Sequence, residues 1–220
     1  MSAFVQKVNH MKSVLKCWLP AVFVAAAAAL TMVSVAADTT PTPTKRLAIV
    51  AIGDVPAKLA DHAREWAEQN LAIKVDLLPA EKTSGKNLDD IAAQAVKAGG
   101  ANHPHVIAIA LPPEGVNNHG MRTADGRAAV VNLRPMQADK PDEETLSRRI
   151  ERQTIRAMAL LLDVGTCPNP QCALSRYSTL QELDQAGRNC CPPCLQKFQE
   201  NAAKELLEPN KTSHFYLRRK

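Results

Sequence analysis

Two cysteine pairs constrain the folding of this 220-residue chain more than any other feature. Cys167-Pro-Asn-Pro-Gln-Cys172 is a C-x4-C knuckle, and after eighteen intervening residues Cys191-Pro-Pro-Cys194 forms a C-x2-C knuckle. Two such pairs can place four thiolates tetrahedrally around one Zn²⁺, each Zn–S bond being about 2.3 Å. The prolines inside both knuckles favour turns that hold the sulfurs on one side. Cys190 is a fifth thiol beside Cys191, and the x2 interval to Cys194 favours Cys191 as the ligand. Two other readings of the same thiols remain open. Exported cysteines normally oxidise, so five thiols could form two disulfides with one left over. Cys191-Pro-Pro-Cys194 could also be a redox pair, although no strand precedes it and it follows the α/β part of the chain instead of opening it.

The N-terminus bears on that choice. Residues 1–16 carry Lys7, Lys12 and Lys16 with no acid, and Leu19 to Ala37 is almost wholly apolar and ends in small residues. This predicts a signal peptide over residues 1–37, cleaved before Asp38, and export to a periplasmic or extracellular location. An uncleaved anchor is the alternative, because the apolar run approaches spanning length. Cys17 follows Lys16 and does not fit a lipoprotein cysteine. Residues 38–44 read as a Thr/Pro-rich linker. Removing residues 1–37 takes three lysines and lowers the formal charge from +5 to +2. Such a balance gives no reason to expect nucleic acid or an anionic membrane, and leaves an unidentified protein or peptide partner.

Between the linker and the cysteines the pattern alternates. Arg46 to Ile52 is an aliphatic run bounded by Gly53 and Asp54, with Asp54 and Pro56 suiting the cap and first turn of a helix. Leu59, Ala63, Trp66 and Ala67 recur at helical spacing to about Asn70, and β character resumes over Leu71 to Leu78. A second helix carries Ile91, Ala92, Ala95 and Val96 on one face and stops at Gly99-Gly100. Val106 to Leu111 reads as a strand, Pro112 to Arg127 as a long polar loop, and Ala128 to Leu133 as a further strand. After Pro141, Leu146, Ile150, Ile155, Met158, Leu161 and Leu162 define a long helix ending near Gly165, the most apolar in the chain and the expected core helix. The predicted class is α/β: a mixed sheet packed with helices, either three-layered or covered on one side. The domain over 45–166 leads into a Cys-rich zinc-binding and helical segment over 167–220. Gly53 and Gly99-Gly100 read as turn and cap glycines, and His103 and His105, flanking Pro104, as surface histidines.

This order of features, an α/β stretch, a core helix, then C-x4-C and C-x2-C, resembles the archaemetzincins, a family of zinc-dependent metallopeptidase-like proteins with a zincin-like fold. The family signature is a helix bearing H-E-x-x-H-x-x-G-x-x-H-C, with the two cysteine pairs after it. Counting back from Cys167 puts Arg156 at the first His, Ala157 at the general-base Glu, Leu160 at the second His, Asp163 at the Gly and Thr166 at the third His. Leu174 takes the position of a Met, and the interval to Cys191 is about one residue short. Ala128 to Leu133 looks like the family's edge strand leading towards the helix.

What the resemblance implies is therefore split. The four cysteines would hold one structural zinc. No catalytic zinc and no catalytic residue is expected, since Arg is protonated and offers no lone pair, Leu has no donor atom and Ala157 cannot accept a proton. The histidines after residue 37 contain no i, i+4 pair. Arg156 is read as solvated or paired with a nearby acid such as Glu151 or Asp163, with a carboxylate held in a remnant cleft as the alternative. The expectation is an exported, catalytically inactive archaemetzincin-like protein with a binding or scaffolding role. The alternatives are an active zinc metallopeptidase and a cell-envelope thiol-disulfide protein using Cys191/Cys194.

Overall fold

The computed structural model describes residues 44–214; the expected signal peptide over 1–37 and almost all of the linker lie outside the described residues. Strands β1 (Leu47–Ile52), β2 (Val75–Leu77), β3 (Val106–Ala110), β4 (Gly120–Arg122) and β5 (Ala128–Asn132) form one mixed sheet in the order β2-β1-β3-β5-β4. All pairings are parallel except β4 with β5. Every residue of β1, β3 and β5 is buried, as expected for strands covered on both faces, which read as continuous aliphatic runs.

Alternation along those strands divides the core into two layers. Ala48, Val50, Ile52, Val106, Ala108, Ala110, Ala128 and Val130 pack under helix α2 (Leu88–Gly99). Leu47, Ile49, Ile107, Ile109, Ala129 and Val131 face the other way, into a larger cluster with α1 (Ala57–Leu71), α4 (Glu143–Leu161) and α6 (Pro192–Lys204). The arrangement is the three-layered form of the expected α/β fold. Cys172, Ala173, Leu174, Leu195, Phe198 and Ala202 belong to that larger cluster, so the Cys-rich segment shares a core with the sheet. Two short helices, α3 (Leu133–Met136) and α5 (Leu180–Gln185), flank α4 in sequence.

Several local expectations need correction. Helix α1 is capped at Pro56 without a side-chain hydrogen bond, and not at Asp54. Strand β2 occupies only Val75–Leu77, because α1 runs on to Leu71 and ends in a left-handed Ala72. Strand β4 lies inside the segment read as a polar loop; it lies at the edge of the sheet, and β5 is therefore internal. His103 and His105 are half-buried and hydrogen-bonded: His103 contacts Gly99 O and Asp76 Oδ2, each at 3.1 Å, and His105 Nδ1 lies 2.7 Å from Gly126 O. Gly100 does cap α2, at φ 59°, where its N–H reaches Val96 O.

Helix α4 is central for a different reason from the one its leucines suggest. Asp142 caps it through Thr145 N, yet its buried residues include Arg149, Glu151, Arg152 and Gln153. Arg149, 2% exposed, donates to Asp139, Asp184 and the carbonyl of Met136. Glu151, 1% exposed, meets His62 and Arg188 at 2.7 Å. Arg152 donates to the carbonyls of Ala186 and Gly187. Each buried charge is paired or hydrogen-bonded, the condition under which burial is tolerated. The ties clamp the helix to the segments on either side of it.

Candidate functional site

The chain leaves α4 through Leu162 and a left-handed Asp163, turns at Gly165 (φ 79°), and enters the first knuckle. Cys167 N–H donates to Leu174 O at 3.0 Å, and Cys172 N–H closes a turn onto Asn169 O at 3.0 Å. These two bonds fold the four intervening residues into a loop with both sulfurs inward. Gly187 seals that loop from outside: a Cβ there would stand 1.8 Å from Gln171 O, so only glycine fits. The second knuckle opens α6. Cys191 is its N-cap, Pro192 and Pro193 fill the first positions, where a proline costs no hydrogen bond, and Cys194 completes the first turn. The x2 interval is thus the spacing from N-cap to third helical residue, which puts both sulfurs at the positive end of the helix.

The four sulfurs of Cys167, Cys172, Cys191 and Cys194 lie within 4.8 Å of one another. Cys167 Sγ and Cys191 Sγ are 3.7 Å apart, close to the edge of about 3.8 Å that a tetrahedron of 2.3 Å Zn–S bonds requires. All five described cysteines are free thiols. The geometry fits a metal ion bound by four thiolates. Cys190 stays outside the group of four. Burial first, and then the neighbouring thiols, push its own thiol up to about 12. Burial likewise raises Cys172 and Cys194. For Cys191 burial is outweighed: the Cys194 backbone N–H and the adjacent thiols hold it low. A cation at the centre would favour the thiolate at all four.

The second feature lies further back along α4. Arg156, Ala157 and Leu160 line a cleft of about 400 Å³ between α4 and strands β4 and β5. The three positions equated with the first His, the Glu and the second His therefore do face one cavity. Thr166 does not join them; it is exposed and lies in a separate hollow beside Cys167 and Pro168. Nor does Arg156 pair with Glu151 or Asp163. Glu151 is taken by His62 and Arg188, and Asp163 by Arg122 at 2.7 Å. Arg156 instead donates to Ser175 O at 2.6 Å and lies 5.6 Å from the centre of the Tyr177 ring. A site for a catalytic zinc needs three ligands and an open fourth position, and the residues at these positions do not fit one.

Three cleft residues escape sequence reasoning. His119 Nδ1 lies 3.0 Å from Tyr177 Oη, and burial, aided by the Arg149 charge, lowers the imidazole below its ordinary value. Burial raises the Tyr177 phenol, against the pull of Arg156. Gln153 is 6% exposed and lies beside the Tyr177 hydroxyl, and its Nε2 makes no well-formed hydrogen bond among the described residues. Gln153 could have been found, because 153, 156, 157 and 160 share one helical stripe.

No protein-family model matches the chain. Over 82 residues it is 29% identical to the archaemetzincin of Methanopyrus kandleri, covering 37% of this chain and 46% of that protein. It is 26% identical over 82 residues to the archaemetzincin of Pyrococcus horikoshii, covering 36% and 44%. The matched stretch thus spans about half the length of these curated relatives. In fold the likeness is wider. The crystal structure of the M. kandleri archaemetzincin superposes with a TM-score of 0.61 at 20% identity, over 74% of this chain and 99% of that one. A zinc-dependent peptidase from Methanocorpusculum labreanum gives 0.57 at 16% identity, over 69% and 99%. The archaemetzincin of Archaeoglobus fulgidus, complexed with malonate, gives 0.53 at 17% identity, over 69% and 99%. Modest sequence similarity over 82 residues and a shared α/β fold are what this chain has in common with the archaemetzincins.

Proposed function

We propose that this chain is an exported, archaemetzincin-like protein that binds a protein or peptide partner and does not cleave it, with one zinc ion held by Cys167, Cys172, Cys191 and Cys194 as a structural staple. One juxtaposition carries the proposal. Four sulfurs lie within 4.8 Å of one another, while the adjoining helix lines its cleft with Arg156, Ala157 and Leu160, which supply neither a ligand nor a base. Bound zinc would lock the start of α6 to the end of α4, and it would supply no chemistry to the cleft. Export rests on the sequence of residues 1–37. Among the described residues no helix is long and apolar enough to cross a membrane.

The peptidase alternative has less behind it. Among the described residues His119 is the one histidine lining the cleft, against the three ligands a catalytic zinc needs. A redox role for Cys191/Cys194 competes with the sulfur of Cys167, 3.7 Å from that of Cys191. Elemental analysis of the purified protein should give about one zinc per chain, and a peptide library should show no chelator-sensitive cleavage. Zinc-free protein with its thiols oxidised, or turnover that a chelator stops, would overturn the proposal. A reduction potential for Cys191/Cys194 well above that of a structural bond would favour the redox alternative.

A further inference from the structure

The cleft along α4 is lined by positive charge. Arg122, Arg156 and His119 line it, and among the described residues no Asp or Glu does. Arg122 is already neutralised by Asp163. Arg156 is not: it touches one carbonyl and one aromatic ring, and among the described residues no carboxylate pairs with it. This sets it apart from Arg149, Arg64, Arg46 and Arg188, each of which meets an acid within 3.2 Å. One helical turn away, Gln153 Nε2 is a buried donor beside the Tyr177 hydroxyl that makes no well-formed hydrogen bond, and an unmade hydrogen bond at a buried amide is costly. Both groups belong to one wall of one cavity.

We propose that this cleft is a carboxylate-binding site in which the Arg156 guanidinium and the Gln153 side-chain amide hold one carboxylate group. The inference rests on the binding role proposed above and names the chemistry bound. A guanidinium presents parallel N–H donors that match the two oxygens of a carboxylate, and a primary amide can donate to one of them. Part of the wall is apolar, with Ala157, Leu160, Met121 and Val130, so an organic acid carrying hydrocarbon gains contacts there that inorganic phosphate does not. At about 400 Å³ the cleft has room for a small acid or the last residues of a peptide. The fixed cation at Arg156 stands where the family signature has its first metal ligand.

Calorimetric titration of the purified protein tests this with four probes: N-acetyl-Leu-Ala with a free carboxylate, the same peptide as its C-terminal amide, malonate and inorganic phosphate. The free acid should bind at least tenfold more tightly than the amide, and Arg156→Met should cost at least tenfold, the loss expected for one charge-assisted hydrogen bond. Arg156→Lys, which keeps the charge and loses the paired donors, should fall between. If Arg156→Met does not fold, Arg156→Lys and Gln153→Leu carry the test, and both should weaken the acid and leave the amide unchanged. A peptide preferred over malonate identifies a chain terminus as the source of the carboxylate, and the reverse order a free metabolite. Equal binding of acid and amide, phosphate binding more tightly than both acids, no binding at all, or variants that bind like the wild type would each overturn the site. Zinc content and peptide turnover are read separately, so a one-zinc, non-cleaving protein that ignores carboxylates would sink this inference alone.

Discussion

Helix α4 serves two regions, and they differ in what their side chains can do. Past its C-terminus, the chain brings four donor atoms of one kind within 4.8 Å, held by backbone hydrogen bonds, by a glycine without room for a Cβ and by a helix N-terminus. Along its cleft, the same helix presents a cation, a methyl group and an isobutyl group. The first region is organised around a charge it would have to receive from outside. The second already contains its positive charge. The two regions thus differ in their donor sets: four sulfurs in one, and at Arg156, Ala157 and Leu160 in the other no group that could ligate a metal. Fold likeness to a zinc-dependent peptidase accordingly carries no argument about hydrolysis here.

The contrast breaks first at the cysteines if it breaks at all. Stripping the metal, or replacing Cys194 by Ser, should unfold the segment after α4 and lower the melting temperature by tens of degrees. Structural zinc binding contributes about 10–16 kcal/mol in small domains, as much as the whole stability of an ordinary one. Circular dichroism melts with and without a strong chelator would measure it. An unchanged melting curve in metal-free protein would mean that hydrophobic packing alone holds the four sulfurs together.

Gly187→Ala comes next. Its Cβ would meet backbone, Gln171 O at 1.8 Å and Gln171 C at 2.4 Å, and neither can swing away as a side-chain tip could. Overpacking of this kind costs about 1–3 kcal/mol, and the loop that must move is the one carrying Cys167 and Cys172. Weaker zinc retention should therefore accompany the lower stability in denaturant unfolding. A variant as stable and as zinc-tight as the wild type would show that the knuckle tolerates displacement.

Restoring ligands sharpens the comparison from the other side. Arg156→His, Ala157→Glu and Leu160→His together should raise the zinc content from about one towards two, because all three positions line one cleft. Adding Thr166→His should change little, since Thr166 is exposed and lies in a different hollow. A stoichiometry that stays at one in the triple variant would argue against the alignment of α4 with the family's helix. A rise seen only once Thr166→His is added would argue against the placement of that residue.

How much of this could be read in the sequence depends on the range over which each feature is encoded. The cysteine intervals are local, since a four-residue loop and a helical first turn are set by chain geometry, and they identify the same four residues that the fold brings together. The amphipathic helices α1 and α2 are local too, through their repeating alanines and aliphatics. Strand β4 is three residues long and mostly exposed, too short to show alternation. The burial of Arg149, Glu151 and Arg152 is not local: their partners Asp184, Arg188 and Gly187 lie 35 to 37 residues away, so periodicity assigns α4 its apolar face and leaves out its charged one. The cleft shows the same limit, with Tyr177 meeting His119 across 58 residues.

That last pair supplies the smallest expected effect. Burial and the Arg149 charge depress the folded His119 below the ordinary 6.5, so the folded protein binds its proton less readily than the unfolded chain does. Above pH 6.5 both states are neutral at this site and it adds no pH dependence. As pH falls below 6.5 the unfolded chain takes up the proton first, and stability declines until the folded pKa is reached, below which the penalty is constant. Denaturant unfolding at a series of pH values should show that decline in the wild type and a flatter profile in His119→Gln, which retains a hydrogen-bonding partner for Tyr177. A His119→Gln protein with the same slope would assign the pH dependence to other groups. It would also remove the link between His119 and the positive field of α4, on which the contrast between a cleft that carries its own charge and a cluster that must receive one partly depends.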